Sequence, residues 1–461
     1  MSTEREKRSR KAVRAALVAL DGALTGRPLA AALSEALRAE EKLGPQERRA
    51  AALAARGVVR ELRRLDLAIA RAGAAAGLEL KKLPVPDRNL LRYLAFRVSV
   101  EGEGAARPLQ ELALPGPRRP RSIGDDVLAK VAQKLEPVDA LPAPPDPLGA
   151  LAHRRSVPDF LARRLAAQFG LGRADAVLAA LNRPARLDLR ANRLLATREE
   201  VAAALKEDGV EVAPLPFAPD GLLAADRAGL FGTAFQKGLF ELQDEGSQLI
   251  ALLCAARPGE RAIDFCAGSG GKTLALAAAV GPTGRVVACD AVPGRLAELP
   301  ARARRAKAGK IVRVAGPRPE DELAGKADVV LVDAPCSGVG SLRREPDLRW
   351  RLNEATLDGY PARQAAILED AAKFVRPGGG RLVYATCSPF REEDEAVVEG
   401  FLAAHPEFSA RDAATVLPEG AREVAEAGML RVAPDRHGGG AFFAALLVCS
   451  QAPTKGKAPQ H

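Results

Sequence analysis

The sequence is poor in the residue types on which several function classes depend. Aromatic residues make up 4% of its 461 residues, and it has four histidines and six cysteines. The first cysteine is Cys254, and no two are spaced as Cys-x-x-Cys. This scarcity argues against a zinc site and, in a reducing compartment, against a disulfide framework, so no metal is predicted. The six thiols are left as core residues or catalytic groups.

The chain also lacks a long uncharged apolar run. Its first residues, MSTEREKRSRKAVRAAL, are charged and are not followed by the apolar core of a signal peptide. Neither a membrane span nor secretion is therefore expected, and a cytoplasmic protein is predicted. Nothing in the sequence indicates an oligomer, so a monomer is the default expectation.

Positive charge is concentrated at the front of the chain. Residues 1–140 contain 27 Lys and Arg against 18 Asp and Glu, a net charge of +9, whereas the remainder contains 41 against 40, a net charge of +1. A basic front third on a neutral remainder is typical of a nucleic-acid-binding appendage on an enzyme. A solvated helical surface gives the same counts, so both interpretations stay open at this point.

Periodicity and proline-rich breaks divide the chain into segments. Residues 1–140 repeat apolar residues every three or four positions, which predicts an all-helical domain. Residues 141–150 form a Pro-rich linker that cannot continue a helix, and residues 151–235 mix helical and extended patterns in a small α+β module. In residues 236–450 short strands alternate with helices, which predicts a mostly parallel sheet covered by helices. Residues 451–461 are expected to be a disordered tail.

A glycine cluster follows the first strand of this alternating region, in AIDFCAGSGGKT (262–273). A P-loop needs a glycine where Cys266 stands, and a dinucleotide fingerprint needs a small residue where Thr273 stands. An acid, three residues and Gly-x-Gly is instead the pattern of enzymes that bind S-adenosylmethionine (SAM). Asp290, which ends the next strand, is placed to accept hydrogen bonds from ribose hydroxyls, and a turn or cap aspartate is the alternative.

Two further strands each end in Cys-Ser. VVLVDAPCSGVG (329–340) carries Cys336, and RLVYATCSPF (381–390) carries Cys387. Neighbouring strands lie about 5 Å apart, and ligands bind at the carboxyl edge of such sheets, so both thiols can reach one small ring. Carbon 5 of cytosine accepts a methyl group only after a thiolate adds to carbon 6, so paired thiols beside a SAM site suggest cytosine-5 methylation. Asp333 can hydrogen-bond the amine of that cytosine and share a proton with its ring nitrogen, and a buried turn aspartate that caps the following loop is the alternative.

These motifs resemble the Sun/RsmB family of RNA cytosine-5 methyltransferases. The match runs through the glycine loop and residues 243–249, 333–350, 363–388 and 436–447, and the front domain is similar to NusB-type RNA-binding domains. The resemblance implies a Rossmann-like α/β SAM-dependent methyltransferase domain, preceded by an all-helical NusB-like domain and a small α+β module. It also implies SAM as cofactor and RNA as substrate. Small-subunit (16S) ribosomal RNA is the first expectation and transfer RNA the second.

The resemblance also implies roles for individual residues. Cys387 would be the nucleophile, Cys336 would aid release, and Lys272 would hold Asp333 in place. Gly316 stands where the family has an acid that contacts adenine. The residues implied for SAM binding are Cys266, Ala267, Gly268, Ser269, Gly270, Gly271, Lys272, Asp290, Gly316 and Asp333.

RNA binding and two rival functions complete the expectations. The arginines predicted to bind phosphates at the mouth of the site are Arg302, Arg305, Arg343 and Arg344. Because aromatic residues are scarce, Trp350 and Phe390 are the nearest candidates to pack against a flipped cytosine. One rival is a DNA cytosine methyltransferase, in which Cys336 would be the nucleophile. The other is a non-catalytic RNA-binding protein that keeps a degenerate methyltransferase fold.

Overall fold

The computed structural model describes residues 4–41, 43–74, 76–112 and 122–450. Its internal contacts divide the chain into two units, which are Met1–Arg183 with Leu342–Glu354 and Pro184–Ser341 with Ala355–His461. The division falls inside the predicted module 151–235, whose helices up to Leu181 group with the first unit and whose strands group with the second. This division reflects internal contacts only, so the domain limits given by the sequence stay a prediction. The predicted tail, 451–461, lies outside the described residues.

The first unit is helical, as the spacing of its apolar residues predicted. Its core is rich in Ala and Leu, which lets helices approach closely, and a side chain at Gly57 would meet the Phe96 ring at 2.2 Å. Phe96 begins a π-helical turn, Phe96–Val100, directly after α5. The helices are α1 (Glu4–Ala23), α2 (Leu29–Ala39), α3 (Pro45–Arg60), α4 (Leu62–Ala74), α5 (Val85–Ala95), α6 (Ala106–Leu112), α7 (Asp125–Lys134), α8 (Pro147–Arg155), α9 (Asp159–Phe169) and α10 (Leu171–Leu181).

Residues 342–354 pack with this helical unit although they follow the Pro-Cys motif in the chain. The indole Nε1 of Trp350 donates to the carbonyl oxygen of Val59 at 2.7 Å, and its ring lies against the helical core. Arg349 is fully buried and donates to Asn182 Oδ1 at 2.7 Å. Trp350 is therefore committed to the helical core, contrary to the expectation that it packs against a flipped cytosine.

The second unit begins with a small four-stranded antiparallel sheet. The helix Arg198–Glu207 starts at a capping box, in which Thr197 Oγ1 accepts from the Glu200 amide at 3.2 Å and Glu200 Oε2 accepts from the Thr197 amide at 2.7 Å. In chain order, the strands and helices of this part of the second unit are β1 (Leu187–Ala191), α11 (Arg198–Glu207), β2 (Val212–Pro214), β3 (Gly221–Ala224), α12 (Thr233–Gln236), β4 (Phe240–Leu242) and α13 (Glu245–Leu253). The strand order in the sheet is β2-β3-β1-β4.

The larger sheet of this unit has nine strands. They are β5 (Arg261–Asp264), β6 (Arg285–Ala288), β7 (Val312–Val314), β8 (Val329–Asp333), β9 (Gly380–Thr386), β10 (Phe408–Arg411), β11 (Ala425–Glu426), β12 (Met429–Val432) and β13 (Phe442–Cys449). The helices after α13 are α14 (Gly271–Val280), α15 (Leu299–Arg305), α16 (Leu348–Arg351), α17 (Glu354–Asp358), α18 (Tyr360–Ala372), α19 (Glu395–Ala404) and α20 (Pro434–His437). Of these, α16 lies in the segment that packs with the first unit.

The strand order of the larger sheet creates a ligand crevice. The order is β11-β12-β13-β9-β8-β5-β6-β7, with β10 beside β13, and the strands from β9 to β7 are parallel. From β5 the chain adds β6 and β7 on one side of the sheet and then β8 and β9 on the other side, so the strand order reverses between β5 and β8. Ligands of such sheets bind at this point, beyond the carboxyl ends of the strands. The parallel, helix-covered sheet predicted from the sequence is present in these five strands, whereas β10, β11, β12 and β13 form antiparallel pairs and make the whole sheet mixed. Among the described residues, no helix is both long and apolar enough to cross a membrane.

Candidate active site

The two cysteines meet at the carboxyl edge of β8 and β9. Register pairs Asp333 with Ala385, and the pairing continues one step further through a 2.8 Å bond from the Ala334 amide to the Ala385 carbonyl oxygen. Both strands then turn, and Cys336 Sγ lies 3.3 Å from Cys387 Sγ. Both residues are half-buried. The structure thus brings together the two thiols that the strand pattern predicted to be neighbours.

A close backbone approach holds the Cys336 loop against its neighbour. The Gly340 amide donates to the carbonyl oxygen of Cys387 at 3.0 Å, and the Ala441 amide donates to the carbonyl oxygen of Gly340 at 3.2 Å. A side chain at position 340 would lie 2.3 Å from the Ala441 carbonyl oxygen. Glycine is therefore required there, because any larger residue would push the two cysteine loops apart.

An ion pair between the buried Lys272 and the half-buried Asp333 lies beside the thiols. Lys272 Nζ donates to Asp333 Oδ2 at 2.6 Å and to Ser247 Oγ at 3.2 Å. Burial opposes the charge on Lys272, but the Asp333 carboxylate outweighs it, so the pKa of Lys272 is raised. A thiolate at Cys387 is close enough to add to this effect. The Lys272 ammonium therefore attracts negative charge at both Asp333 and Cys387.

The two thiols differ in their surroundings. The hydrogen bond to Cys387, burial and the nearby Glu393 carboxylate together raise the pKa of the Cys336 thiol well above its usual value. Cys336 is therefore held in its neutral form. A thiolate at Cys387 would interact with the Lys272 ammonium, whereas Cys336 keeps its proton and can donate a hydrogen bond.

The glycine loop follows β5 and leads into α14. Gly268 and Gly270 have φ angles of +54° and +87°, which residues with a side chain adopt only with strain. A Cβ atom on Gly270 would lie 2.2 Å from Leu299 Cδ1, whereas one on Gly268 would enter open space. The Gly268 amide donates to Asp290 Oδ2 at 3.0 Å, and Asp290 Oδ1 accepts from the Val292 amide at 2.8 Å. The turn role considered for Asp290 is therefore present.

Asp264 is a buried acid with unused bonding capacity. Its Oδ2 accepts from Thr273 Oγ1 at 2.6 Å, while its buried Oδ1 has no hydrogen-bond partner within the described part of the chain. Burial raises the pKa of Asp264 to about 7. An orphaned carboxylate oxygen beside an open glycine backbone fits a ligand that brings positive charge and hydrogen-bond donors, and SAM has both.

Three other residues predicted to bind SAM differ in how far they are exposed. Cys266 is half-buried in the glycine loop, where burial raises its pKa, so it stays a neutral thiol. Ala267 is buried, and its amide donates to the Cys289 carbonyl oxygen at 2.9 Å. Gly316 is exposed and follows β7, two strands away from β5. A contact between Gly316 and SAM stays a prediction.

Two of the arginines predicted to bind RNA are engaged within the second unit. Arg302 donates to the Ser269 carbonyl oxygen at 2.6 Å and to Glu241 Oε2 at 2.8 Å. Arg305 pairs with the other oxygen of the buried Glu241 and lies over the Phe235 ring, 3.8 Å from its centroid. Arg302 therefore fixes the backbone of the glycine loop at Ser269. Phosphate binding by Arg302 and Arg305 stays a prediction.

The remaining predicted RNA contacts lie elsewhere. Arg343 is half-buried and Arg344 is exposed, and both belong to residues 342–354, which pack with the first unit. Phe390 is fully buried, so its ring is not accessible to a cytosine in this structure. Within the described ranges, no three His, Cys, Asp or Glu side chains converge as metal ligands would.

Sequence reasoning missed two buried charged residues at this site. Glu393 accepts hydrogen bonds from the Ser337 amide and the Ser388 hydroxyl, so it contacts both cysteine loops. Arg190, in β1, donates to the carbonyl oxygen of Gly271 at 3.0 Å, and burial lowers its pKa to about 10. A charged residue inside a predicted strand was the available signal for Arg190. The acidic run around Glu393 resembles an ordinary solvated helix start.

Comparisons with known proteins bear on both units. A family model described as 16S rRNA methyltransferase RsmB/F matches residues 251–448, and one described as the ferredoxin-like domain of RsmF/B-like methyltransferases matches residues 157–228. A probable ribosomal RNA small subunit methyltransferase B of Synechocystis is 33% identical over 65% of this chain and 68% of its own length. A Bacillus subtilis protein with the same description is 32% identical over 68% of this chain and 70% of its own length.

Solved structures agree on the fold. The crystal structure of PH0851 superposes with a TM-score of 0.79 at 27% identity, over 97% of this chain and 99% of that one. A structure of NSun6 from Pyrococcus horikoshii with SFG has a TM-score of 0.55 at 20% identity, over 64% of this chain and 99% of that one. The second likeness supports the Rossmann-like fold alone.

Proposed function

The chain belongs to the RsmB/F family of SAM-dependent ribosomal RNA methyltransferases, and we propose that it methylates carbon 5 of a cytosine in small-subunit ribosomal RNA. The 3.3 Å contact between the Sγ atoms of Cys336 and Cys387 carries this proposal. A nitrogen or oxygen acceptor has its own lone pair and needs no thiol. Carbon 5 of cytosine lacks one, so it requires a covalent nucleophile. A ribosomal RNA substrate implies that the enzyme acts in the cytoplasm.

Cys387 is the nucleophile in this mechanism. Its thiolate adds to carbon 6, and the electron pair of the 5,6 double bond becomes available at carbon 5. SAM, when bound, supplies the electrophilic methyl group. Asp333, held by Lys272 at 2.6 Å, accepts a hydrogen bond from the cytosine amine, and a proton that it shares with the ring nitrogen neutralises the negative charge that develops as the adduct forms.

Cys336 acts in the release step. Once carbon 5 is methylated, its proton passes to a solvent water, the 5,6 double bond reforms and the bond between carbon 6 and Cys387 breaks. The electron pair of that bond returns to the Cys387 sulfur. A neutral Cys336 thiol, 3.3 Å away, donates a hydrogen bond to this sulfur as it becomes an anion. Without this donor, the covalent complex would break down slowly.

SAM would be held at the carboxyl ends of β5 and β6. The open backbone from Cys266 to Lys272 would approach the ligand, and the unpaired Oδ1 of Asp264 would accept one of its donors. Asp290 would accept from ribose hydroxyls with lone pairs that its two backbone donors leave free. With Gly316 in place of an acid, adenine would be held by backbone and apolar contacts alone or by Asp321.

The proposed function is tested by identifying the methylated nucleoside. The protein is incubated with deuterium-labelled SAM and, in parallel, transcribed 16S ribosomal RNA, transfer RNA and duplex DNA. After digestion, mass spectrometry is expected to find labelled 5-methylcytidine from the ribosomal RNA. Label on another atom, or only in DNA, would contradict the proposal. SAM that does not bind, together with RNA that does, would favour the non-catalytic alternative.

Arg302→Ala is expected to weaken SAM binding by about tenfold, because it removes the charged hydrogen bond that fixes the Ser269 carbonyl oxygen in the glycine loop. Calorimetric titration with SAM measures this effect. Arg304→Ala, which removes an exposed arginine from the same helix, is the matched control and should leave the SAM affinity unchanged. An unchanged SAM affinity for Arg302→Ala, with weaker RNA binding and a salt slope lower by about one, would instead support phosphate contact.

A further inference from the structure

A fully buried glutamate joins the two cysteine loops. Glu393 Oε2 accepts from the Ser337 amide at 2.7 Å, and its Oε1 accepts from Ser388 Oγ at 2.6 Å. Ser337 directly follows Cys336, and Ser388 directly follows Cys387. One carboxylate therefore spans the residues adjacent to both thiols.

The surrounding contacts fix this glutamate in place. Gln364, from α18, donates through Nε2 to Glu393 Oε2 at 3.1 Å and to the Pro335 carbonyl oxygen at 3.1 Å. The Tyr384 hydroxyl, from β9, donates to the main-chain carbonyl oxygen of Glu393 at 2.5 Å. The side chain of Glu393 is thus bonded to α18, and its backbone is bonded to β9.

Burying this carboxylate carries a cost that packing alone does not explain. Moving a carboxylate out of water is expensive, and an apolar side chain of similar size often stabilises a core equally well or better. Three donors compensate the charge of Glu393, and each comes from a residue beside the cysteines or from α18. We propose that Glu393 is a positioning residue that holds Cys336 and Cys387 at the separation the methylation cycle requires.

The same carboxylate also acts through its charge. The pKa of the Cys336 thiol is raised by the hydrogen bond that it donates to Cys387, by burial and by the charge of Glu393. A fixed negative charge next to Cys336 favours its neutral form, while Lys272 favours an anion on the Cys387 side. Glu393 thereby helps to keep the two thiols in different roles. This inference rests on the proposed cytosine-5 chemistry only for its kinetic consequence.

Glu393→Gln removes the charge and keeps the size of the side chain. The kcat for methyl transfer is expected to fall by about 10- to 100-fold, because small displacements of reacting groups have effects of that order. The KM for RNA and the SAM affinity should stay within about twofold, since neither ligand is expected to touch this residue. Glu399→Gln, on the exposed face of α19, is the matched control and should leave every parameter unchanged.

A second readout does not depend on methylation. In a Cys387→Ala background, the rate at which iodoacetamide alkylates Cys336 at pH 8 is followed by peptide mass spectrometry, with and without Glu393→Gln. Loss of the carboxylate lowers the pKa of Cys336, so alkylation is expected to become several-fold faster. Because this rate requires neither SAM nor RNA, it reports on Glu393 even if the methylated atom is not carbon 5.

Ser388→Ala separates position from charge. This variant removes the Oε1 hydrogen bond but keeps the carboxylate, so kcat should fall while alkylation of Cys336 stays unchanged. If Glu393→Gln does not bind SAM and is therefore misfolded, the kcat of Ser388→Ala alone decides whether Glu393 positions the two cysteines. Wild-type kcat in Ser388→Ala, or wild-type kcat and alkylation in a folded Glu393→Gln protein, would overturn the inference.

Discussion

Cys387→Ala is expected to lower the rate of methyl transfer by at least about 10⁴-fold, the scale of effect seen when a covalent nucleophile is removed. Cys336 is not expected to replace it, because burial and the Glu393 carboxylate still raise the pKa of the Cys336 thiol when Cys387 is absent. Without addition at carbon 6, carbon 5 stays unreactive however well SAM and RNA bind. Single-turnover transfer of labelled methyl groups measures the loss.

Binding should survive this substitution. The Cys387→Ala variant keeps the Lys272–Asp333 ion pair and the glycine loop, so its SAM affinity should match that of the wild type within about twofold. Cys254→Ala, which removes a buried thiol in the helical layer behind β5, is the control for a cysteine outside the site. Substantial transfer by Cys387→Ala combined with inactivity of Cys336→Ala would exchange the two roles and favour the DNA-type assignment.

The thiol contact was predictable because it depends on local patterns. Short apolar runs before Asp333 and before Cys387 indicate buried strands, and buried strands in an alternating chain are parallel neighbours at one edge. Once β8 and β9 pair, residues that follow each strand by one to three positions have little freedom to separate. The pairing of Lys272 with Asp333 came from family resemblance, and the structure places these side chains in contact.

Other features were not predictable, because they depend on long-range packing. The sequence from Leu342 to Glu354 follows the Pro-Cys loop directly, yet Trp350 and Arg349 hydrogen-bond residues that lie 291 and 167 positions earlier in the chain. Periodicity in a four-residue helix such as α16 cannot reveal its partner. Likewise, the sequence did not reveal that Arg302 and Arg305 both pair with the buried Glu241, which lies on a distant strand.

Cys336→Ala is expected to trap the enzyme on its RNA. Addition of Cys387 to carbon 6 and methylation of carbon 5 do not require Cys336, so the covalent complex still forms. Its breakdown loses the hydrogen-bond donor that lies 3.3 Å from the departing sulfur, and turnover should fall by about 10³-fold or more. A protein–RNA band that survives denaturing electrophoresis, and that requires SAM, measures the trapped species.

The time course distinguishes slow release from a general loss of activity. Cys336→Ala should give a burst of about one methyl group per enzyme followed by almost no turnover, because one slow step after chemistry leaves the first cycle intact. The double variant Cys336→Ala/Cys387→Ala should show neither burst nor covalent band. A Cys336→Ala protein that turns over at the wild-type rate would remove Cys336 from the mechanism. One that lacks both burst and band would move it from release to bond formation, since only a group needed for addition abolishes the first cycle.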